Sequence, residues 1–248
     1  MTIGALIIGD EILRGRRQDK HFPHAIVVLK ERGLVLDWCC YLGDERERLT
    51  DFFRRSLATE DLVFSFGGIG STPDDHTRHA VAAAMTVALA LHPEAKREIE
   101  ARFGAQTTPQ RLMMGEFPVG ARIIPNPYNR VPGFAVGRHH FLPGFPEMAW
   151  PMMEWVLDTW CQPLLRGKPT AESAVVVFEA FESALIDLME RVEREFAGVK
   201  VFSLPSFGGE GVRRHVELGV RGDPADVDQA IELIRAELRR RGLEWQQG

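Results

Sequence analysis

The sequence predicts an α/β fold: a three-layer α/β/α domain on a mostly parallel sheet, followed by a small α+β subdomain. Two short, continuously apolar runs, residues 3–8 and 62–66, have the length and the lack of alternation of strands buried on both faces. They alternate with amphipathic helical stretches in a β-α-β-α-β-α order with short loops, which requires a parallel sheet covered by helices on both sides. After a stretch containing Pro and Gly at 163–173 the order changes to β-α-β-β-α, the pattern of a separate, smaller unit. The expected domains are residues 1–167 and 168–248.

Each element has a local reason. Residues 3–8 (Ile-Gly-Ala-Leu-Ile-Ile) end at Gly9-Asp10-Glu11-Ile12-Leu13-Arg14-Gly15, read as a loop or helix start. Ala25, Ile26, Val28 and Leu29 recur at helical spacing within 22–32, and Gly33 stops that helix. Residues 34–42 read as a strand; Asp44 then caps an amphipathic helix over about 45–58, with Leu49, Phe52, Phe53 and Leu57 on its apolar face. Strand 62–66 leads into a helix over 74–90, and 93–115 read as two short helices broken near Gly104. A short strand at 121–124 is followed by a rigid loop, Pro125 to Phe134, dense in Pro, Asn and Gly, and by a hairpin over 134–142. Leu142-Pro143-Gly144-Phe145-Pro146-Glu147 then turns into a helix over 147–160, which Pro151 starts or kinks. The second unit reads as strand 174–180, helix 183–197, strands 199–204 and 214–221, and helix 225–241.

The 248 residues are 45% hydrophobic and 26% charged, with a formal net charge of −5. That acidic balance argues against a nucleic-acid partner. The basic clusters Arg213-Arg214 and Arg239-Arg240-Arg241 are short, flanked by acids, and read as solvated faces. Cys39 and Cys40 are strand neighbours pointing to opposite faces and Cys161 stands alone, so free thiols in a reducing compartment are expected. The N-terminus enters an apolar strand with no basic leader, and no apolar run nears the ~20 residues of a membrane span. A cytoplasmic protein without a membrane partner is expected.

The segment richest in chemistry is Gly67-Gly68-Ile69-Gly70-Ser71-Thr72-Pro73-Asp74-Asp75-His76-Thr77. A buried strand that ends in glycines and opens a helix presents bare backbone N–H groups at a positive helix end, a site for an anion. Capping alone accounts for part of it, with Thr72 as N-cap, Pro73 at the first helical position and Asp75 closing a capping box. Gly67, Gly68, Gly70 and Asp74 are left over, and ligand binding is the competing reading for them. The segment is neither a P-loop, which needs Lys-Ser or Lys-Thr after its second glycine, nor a Gly-x-Gly-x-x-Gly dinucleotide fingerprint.

The carboxylates of Asp74 and Asp75 would repel a phosphate docked at the same helix start. A hard divalent cation bridging carboxylate and phosphate removes that conflict. In open parallel sheets, ligands sit beyond the carboxyl ends of the strands. That edge also receives Gly9–Gly15 and Gly43-Asp44, so Asp10, Glu11 and Asp44 are candidates for additional ligands, with helix capping and solvation as the alternative for all three. His21/His24 and His76/His79 are paired at i, i+3, but lack the further ligands of a zinc site. His139-His140 alternate faces in a strand, so one is expected to be buried; His76, beside the acidic pair, is the candidate proton-transfer group. Glu147 reads as a cap or a ligand contact.

Together these residues resemble the molybdopterin-binding (molybdenum-cofactor biosynthesis) domain family, in the branch of the competence/damage-inducible protein A N-terminal domain. The resemblance spans about 3–160 and rests on Gly9-Asp10-Glu11-Ile12-Leu13 with Gly15, Gly43-Asp44, Gly67-Gly68-Ile69-Gly70 with Thr72, Asp74-Asp75 and Thr77, then Asn126-Pro127, Pro132-Gly133-Phe134 and Leu142-Pro143-Gly144. Residues after 172 resemble the small subdomain that follows in that branch. No amidohydrolase-like segment follows, so nicotinamide-nucleotide deamidation is not expected. The family usually has Pro at Ser71, Asn at His21, and Gly-Thr-Ala-Pro-Gly where this chain reads Asn129-Arg130-Val131-Pro132-Gly133, so the sugar or pterin end of the pocket is expected to differ.

The resemblance implies binding of a phosphorylated pterin (molybdopterin) or nucleotide, and metal-dependent hydrolysis of a nucleotide pyrophosphate such as ADP-ribose or FAD. The alternative is a non-catalytic molybdopterin- or nucleotide-binding or sensing protein. In the hydrolytic reading Asp74 and Asp75 are the catalytic acids and, with Asp10 or Asp44, hold a divalent metal (Mg, Mn or Co). Gly67, Gly68, Gly70, Ser71, Thr72 and Thr77 hold the phosphates, with Gly9, Glu11, Gly15, Asn126, Pro143 and Gly144 lining the rest of the site. Related domains self-associate, so a homo-oligomer is expected.

Overall fold

The computed structural model describes residues 2–162, 171–209 and 211–248. The chain divides into two units, Met1–Arg166 and Gly167–Gly248. The expected 167/168 boundary and most of the expected linker, 163–170, lie outside the described residues.

In chain order the first unit contains β1 (Ile3–Ile8), α1 (Asp10–Leu13), α2 (His21–Glu31), β2 (Trp38–Leu42), α3 (Arg46–Ser56), β3 (Leu62–Phe66), α4 (Thr77–Met85) and β4 (Leu89–Leu91). There follow α5 (Pro93–Phe103), α6 (Pro109–Leu112), β5 (Glu116–Pro118), β6 (Arg122–Ile124), β7 (Gly133–Val136), β8 (His139–Leu142) and α7 (Pro146–Trp160). Six of these strands form a sheet in the order β2-β1-β3-β8-β7-β6. The β1/β2, β1/β3 and β3/β8 pairs are parallel, and β7 and β6 add on antiparallel. The sheet is sandwiched because its strands alternate between two apolar clusters. Ile3, Ala5 and Ile7 pack with Val28 and Leu29 of α2 and Met152 and Val156 of α7. Leu6 and Ile8 pack with Leu49 and Phe53 of α3 and Ala80 and Val81 of α4. The three layers and the mostly parallel sheet are those the sequence predicts. Parallel pairing brings the carboxyl ends of β1, β2, β3 and β8 to one edge, and the loops that leave them build the site below.

Several elements depart from expectation. The helix expected over 74–90 is shorter: α4 begins at Thr77 and ends where Thr86 adopts a left-handed φ of 59°. β4 follows at once and pairs antiparallel with β5. The strand expected over 34–42 joins the sheet only from Trp38. Asp44 does not cap α3; Glu45 does, its carboxylate accepting from the Glu47 and Arg48 N–H groups, both at 2.8 Å. His139 and His140 are both buried, because β8 is an interior strand with apolar groups on each face. Burial pushes His139 down to about 4 and His140 to about 3. Pro146 occupies the first turn of α7, and the helix continues through Pro151. Cys39 and Cys40 do pack toward opposite faces, and the three cysteines are free thiols.

The second unit contains β9 (Ala171–Phe178), α8 (Ile186–Glu195), β10 (Lys200–Ser206), β11 (His215–Gly222), α9 (Pro224–Arg240) and β12 (Trp245–Gln247). Its sheet is antiparallel, in the order β10-β11-β9-β12. Val175, Val177, Val216, Leu218 and Val220 form its core with Leu188 and Val192 of α8 and Ile231, Ile234 and Leu238 of α9. Arg240 and Arg241 are occupied by Glu237, and Arg213 by Glu244, as their acidic flanks suggest. Among the described residues no helix is long and apolar enough to cross a membrane.

Candidate ligand-binding site

The glycine segment is held from beneath by its carbonyls. Gly67 and Gly68 have φ of 106° and 68°, in the left-handed region. A Cβ at Gly67 would collide with the Ile8 carbonyl, and one at Gly68 with the Thr77 hydroxyl. Thr77, fully buried, donates its hydroxyl to the Gly67 carbonyl and its N–H to the Gly68 carbonyl, both at 3.0 Å. Arg78 is also buried. Its guanidinium reaches the Gly70 carbonyl at 2.6 Å and the carbonyls of Met113 and Glu116 at 2.6 and 3.1 Å. With those carbonyls tied down, the N–H groups of Gly68, Ile69, Gly70 and Ser71 donate to no acceptor among the described residues.

The turn that follows is closed on itself. Asp75 accepts from the Thr72 N–H at 2.8 Å and the Thr72 hydroxyl at 2.5 Å, and returns its own N–H to the Thr72 carbonyl at 3.0 Å. This is the acid half of the expected capping box, but it caps a turn and not the helix. The helix starts two residues beyond Asp75, and His76, at the N-cap position, makes no side-chain cap. Asp44, released from capping, accepts the Asp10 N–H at 2.8 Å and so ties the loop after β2 to the loop after β1. The Asp10 carboxylate is in turn occupied by Arg14 at 2.6 Å. Burial pushes the Asp44 carboxyl above its usual range, and the charges of Asp10, Glu11 and Asp74 push the same way.

These loops surround a cavity of about 580 Å³, within the range of small-molecule sites. Gly9 and Glu11 line it from the β1 end and Asp44 from the β2 end. The glycine loop contributes Gly67, Gly68, Gly70 and Ser71, and the closed turn contributes Thr72, Asp74 and Asp75. The opposite wall carries Asn126, Pro143 and Gly144. Asn126 also shapes its own loop, accepting the Tyr128 N–H and donating to the Val131 carbonyl.

Three predicted site residues do not line the cavity. Thr77 is buried under the glycines and acts through their carbonyls. Asp10 acts through its N–H on Asp44. Gly15 is an exposed left-handed turn closing α1, with its N–H on the Ile12 carbonyl. His76 is absent from the lining as well. Among the described residues no three His, Cys, Asp or Glu side chains come together as a ready-made metal cage. Sequence reasoning passed over Arg17 and Phe145, which line the cavity, and Arg78, which organises it. An arginine inside an Ala-rich helix, next to an acidic turn, was the available signal for Arg78.

The sequence profile described as a probable molybdopterin binding domain matches residues 4–166, the span that holds this cavity. The chain belongs to the molybdopterin-binding domain family. Within it the chain falls in the CinA-like branch. A CinA-like protein of Anaeromyxobacter sp. (strain Fw109-5) is 33% identical over 93% of this chain and 57% of its own length. A protein of Caldivirga maquilingensis is 32% identical over 96% of this chain and 95% of its own. The crystal structure of a CinA protein of unknown function from Thermoplasma acidophilum superposes with a TM-score of 0.58 at 28% identity, covering 64% of this chain and 98% of that one. The chain spans about half the length of the CinA-like relatives it matches.

Proposed function

We propose that the cavity of the first unit binds a phosphorylated pterin or nucleotide, and that with a divalent cation (Mg, Mn or Co) it hydrolyses a nucleotide pyrophosphate of the ADP-ribose or FAD type. One observation carries the reading: free N–H donors at Gly68–Ser71 share a cavity with the carboxylates of Asp44, Asp74 and Asp75. The donors suit a phosphate. The carboxylates oppose it, since two unit charges 4 Å apart at an effective dielectric of 20 interact by about 4 kcal/mol. Hard oxygen donors beside a phosphate site suit a cation that completes its shell with the ligand's own oxygens, so a full protein cage is not required.

In this reading Asp74 and Asp75 hold the cation together with the ligand's own oxygens, and Asp44, which the Asp10 N–H keeps in position, assists from across the cavity. Bound there, a divalent ion polarises a phosphoryl oxygen and lowers the pKa of a water. The Gly68–Ser71 N–H groups hold the phosphate, the Thr72 hydroxyl being spent on Asp75; Thr77 and Arg78 keep the glycine carbonyls turned away from it. A non-catalytic binding or sensing protein is the second reading, favoured by the engagement of Asp75 with Thr72. We also propose that the chain self-associates, which light scattering on the eluting protein tests.

The decisive assay incubates the protein with ADP-ribose, FAD and molybdopterin, with and without Mg²⁺, Mn²⁺ or Co²⁺, beside Asp74→Ala/Asp75→Ala. Metal-stimulated nucleotide release by the wild type and its loss in the variant are expected. Binding without turnover selects the second reading, and identical behaviour of the two proteins overturns the roles given to the acids.

A further inference from the structure

We infer that Arg17 is a ligand-positioning residue at the neck between two adjoining cavities, and that the smaller cavity seats the second half of a pyrophosphate-bridged ligand. The inference rests on the larger cavity being a phosphate site. The smaller cavity, about 290 Å³, shares Ile8, Glu11, Arg17, Gly144 and Phe145 with the larger one. A ligand can therefore lie across both, with Arg17 beside its middle.

Among the described residues Arg17 is the sole basic side chain in the lining of the larger cavity, against the carboxylates of Glu11, Asp44, Asp74 and Asp75. Its side chain is 57% exposed, and the nearest carboxylate oxygen, on Glu11, is 3.9 Å away, beyond hydrogen-bond reach. The guanidinium lies 5.8 Å from the centre of the Phe145 ring, which also lines both cavities. Two other arginines nearby are engaged, Arg14 on the Asp10 carboxylate and Arg78 on three backbone carbonyls, and Arg16 lines neither cavity. Arg17 thus keeps a full fork of donors for an incoming anion, and a guanidinium binds phosphate oxygens in pairs.

The smaller cavity has a different chemistry. Ile7, Ile12 and Phe66 give it an apolar floor, Gln18, Lys20 and Glu147 give it a polar rim, and the His21 ring stacks on Phe66 with centroids 4.6 Å apart. His21 is held in that pose by a 3.1 Å contact between Nε2 and the Gly144 carbonyl. Asp19, at the rim, is already engaged by the His21 and Phe22 N–H groups and by the Tyr41 hydroxyl. A pocket with an apolar and aromatic floor and a polar rim, a free guanidinium at its mouth, and glycine N–H groups beyond match a ligand whose flat, polar-edged end is joined to the rest through two phosphates. One phosphate meets the glycine loop and the other meets Arg17. A ligand with a single phosphate group fills the larger cavity alone.

The test is calorimetric binding of AMP and of the α,β-methylene analogue of ADP-ribose, which cannot be hydrolysed, in Mg²⁺. The variants are Arg17→Gln and Ile12→Trp, since Ile12 lines only the smaller cavity. The wild type is expected to favour the analogue by about tenfold, the size of one good charge-assisted contact. Each variant should bring the preference within about twofold while moving AMP by less than about twofold. A wild type without the preference overturns the inference, as do variants that keep it or weaken both ligands in parallel. A preference that is present in the wild type and lost in the variants, with no metal-stimulated hydrolysis, ends the hydrolytic reading and leaves this one standing.

Discussion

Arg78 is the buried cation on which the glycine loop depends, and replacing it with methionine isolates that dependence. Its side chain is almost wholly inaccessible, no carboxylate pairs with it among the described residues, and its charge is met by the carbonyls of Gly70, Met113 and Glu116. Burial lowers its pKa, but a guanidinium remains protonated at neutral pH. Arg78→Met keeps most of the packing volume and removes the side-chain donor from three carbonyls; the Met113 carbonyl keeps the Glu116 N–H, and the loss at Gly70 and Glu116 is about 1–3 kcal/mol each. Relief of the arginine's own desolvation returns part of that sum, leaving a net loss of about 3 kcal/mol. For a domain of this size the loss corresponds to a fall in Tm of about 6–12 °C. Tryptophan fluorescence follows the relevant unit, because Trp38, Trp150, Trp155 and Trp160 all lie in it. Below the new Tm, ADP-ribose binding should also weaken, because Gly70 has lost its anchor. A variant that melts within 1–2 °C of the wild type, or binds ADP-ribose as tightly, refutes the claim that Arg78 holds the loop.

Three further outcomes follow from the same geometry. Thr77→Val removes the hydroxyl on the Gly67 carbonyl and should cost about 1–2 kcal/mol in denaturant melts, with Thr77→Ser recovering most of it. His140, held down to about 3, binds a proton more readily unfolded than folded. Its contribution to stability is therefore complete above pH 6.5 and is lost as pH falls toward 3, by about 2 kcal/mol between pH 6.5 and 5. His140→Phe should flatten that part of the Tm-against-pH curve; parallel curves would contradict it. Asp44→Asn retains an acceptor for the Asp10 N–H but not the charge. It should leave Tm within about 2 °C of the wild type and reduce metal-stimulated turnover by at least about tenfold.

How much of this was legible in the sequence depends on range. Continuously apolar strands such as Ile3–Ile8 announce themselves, because burial on both faces leaves no polar positions. The convergence of Gly9, Asp44 and Gly67 on one edge follows from parallel pairing alone. Competition between neighbours was harder to read. Asp44 and Glu45 are both competent caps, and Glu45 takes the helix, which frees Asp44 for the Asp10 N–H. Thr72-Pro73-Asp74-Asp75 has the letters of a helix start, yet Asp75 closes a turn and α4 begins at Thr77. Arg78 illustrates the limit most plainly. A helical arginine ordinarily faces water, and only the return of residues 113–116 past α4 supplies the carbonyls that bury it.

The central claim is that the cavity's acids are there for a cation and the cation for a phosphate, and the affinity for ADP-ribose with and without Mg²⁺ tests it in wild type and Asp74→Asn. The account predicts a crossover: without metal the variant binds more tightly, because a repelling charge is gone, and with metal the wild type binds more tightly. Affinities that ignore Mg²⁺ in both proteins, or a variant weaker under both conditions by the same factor, would contradict it.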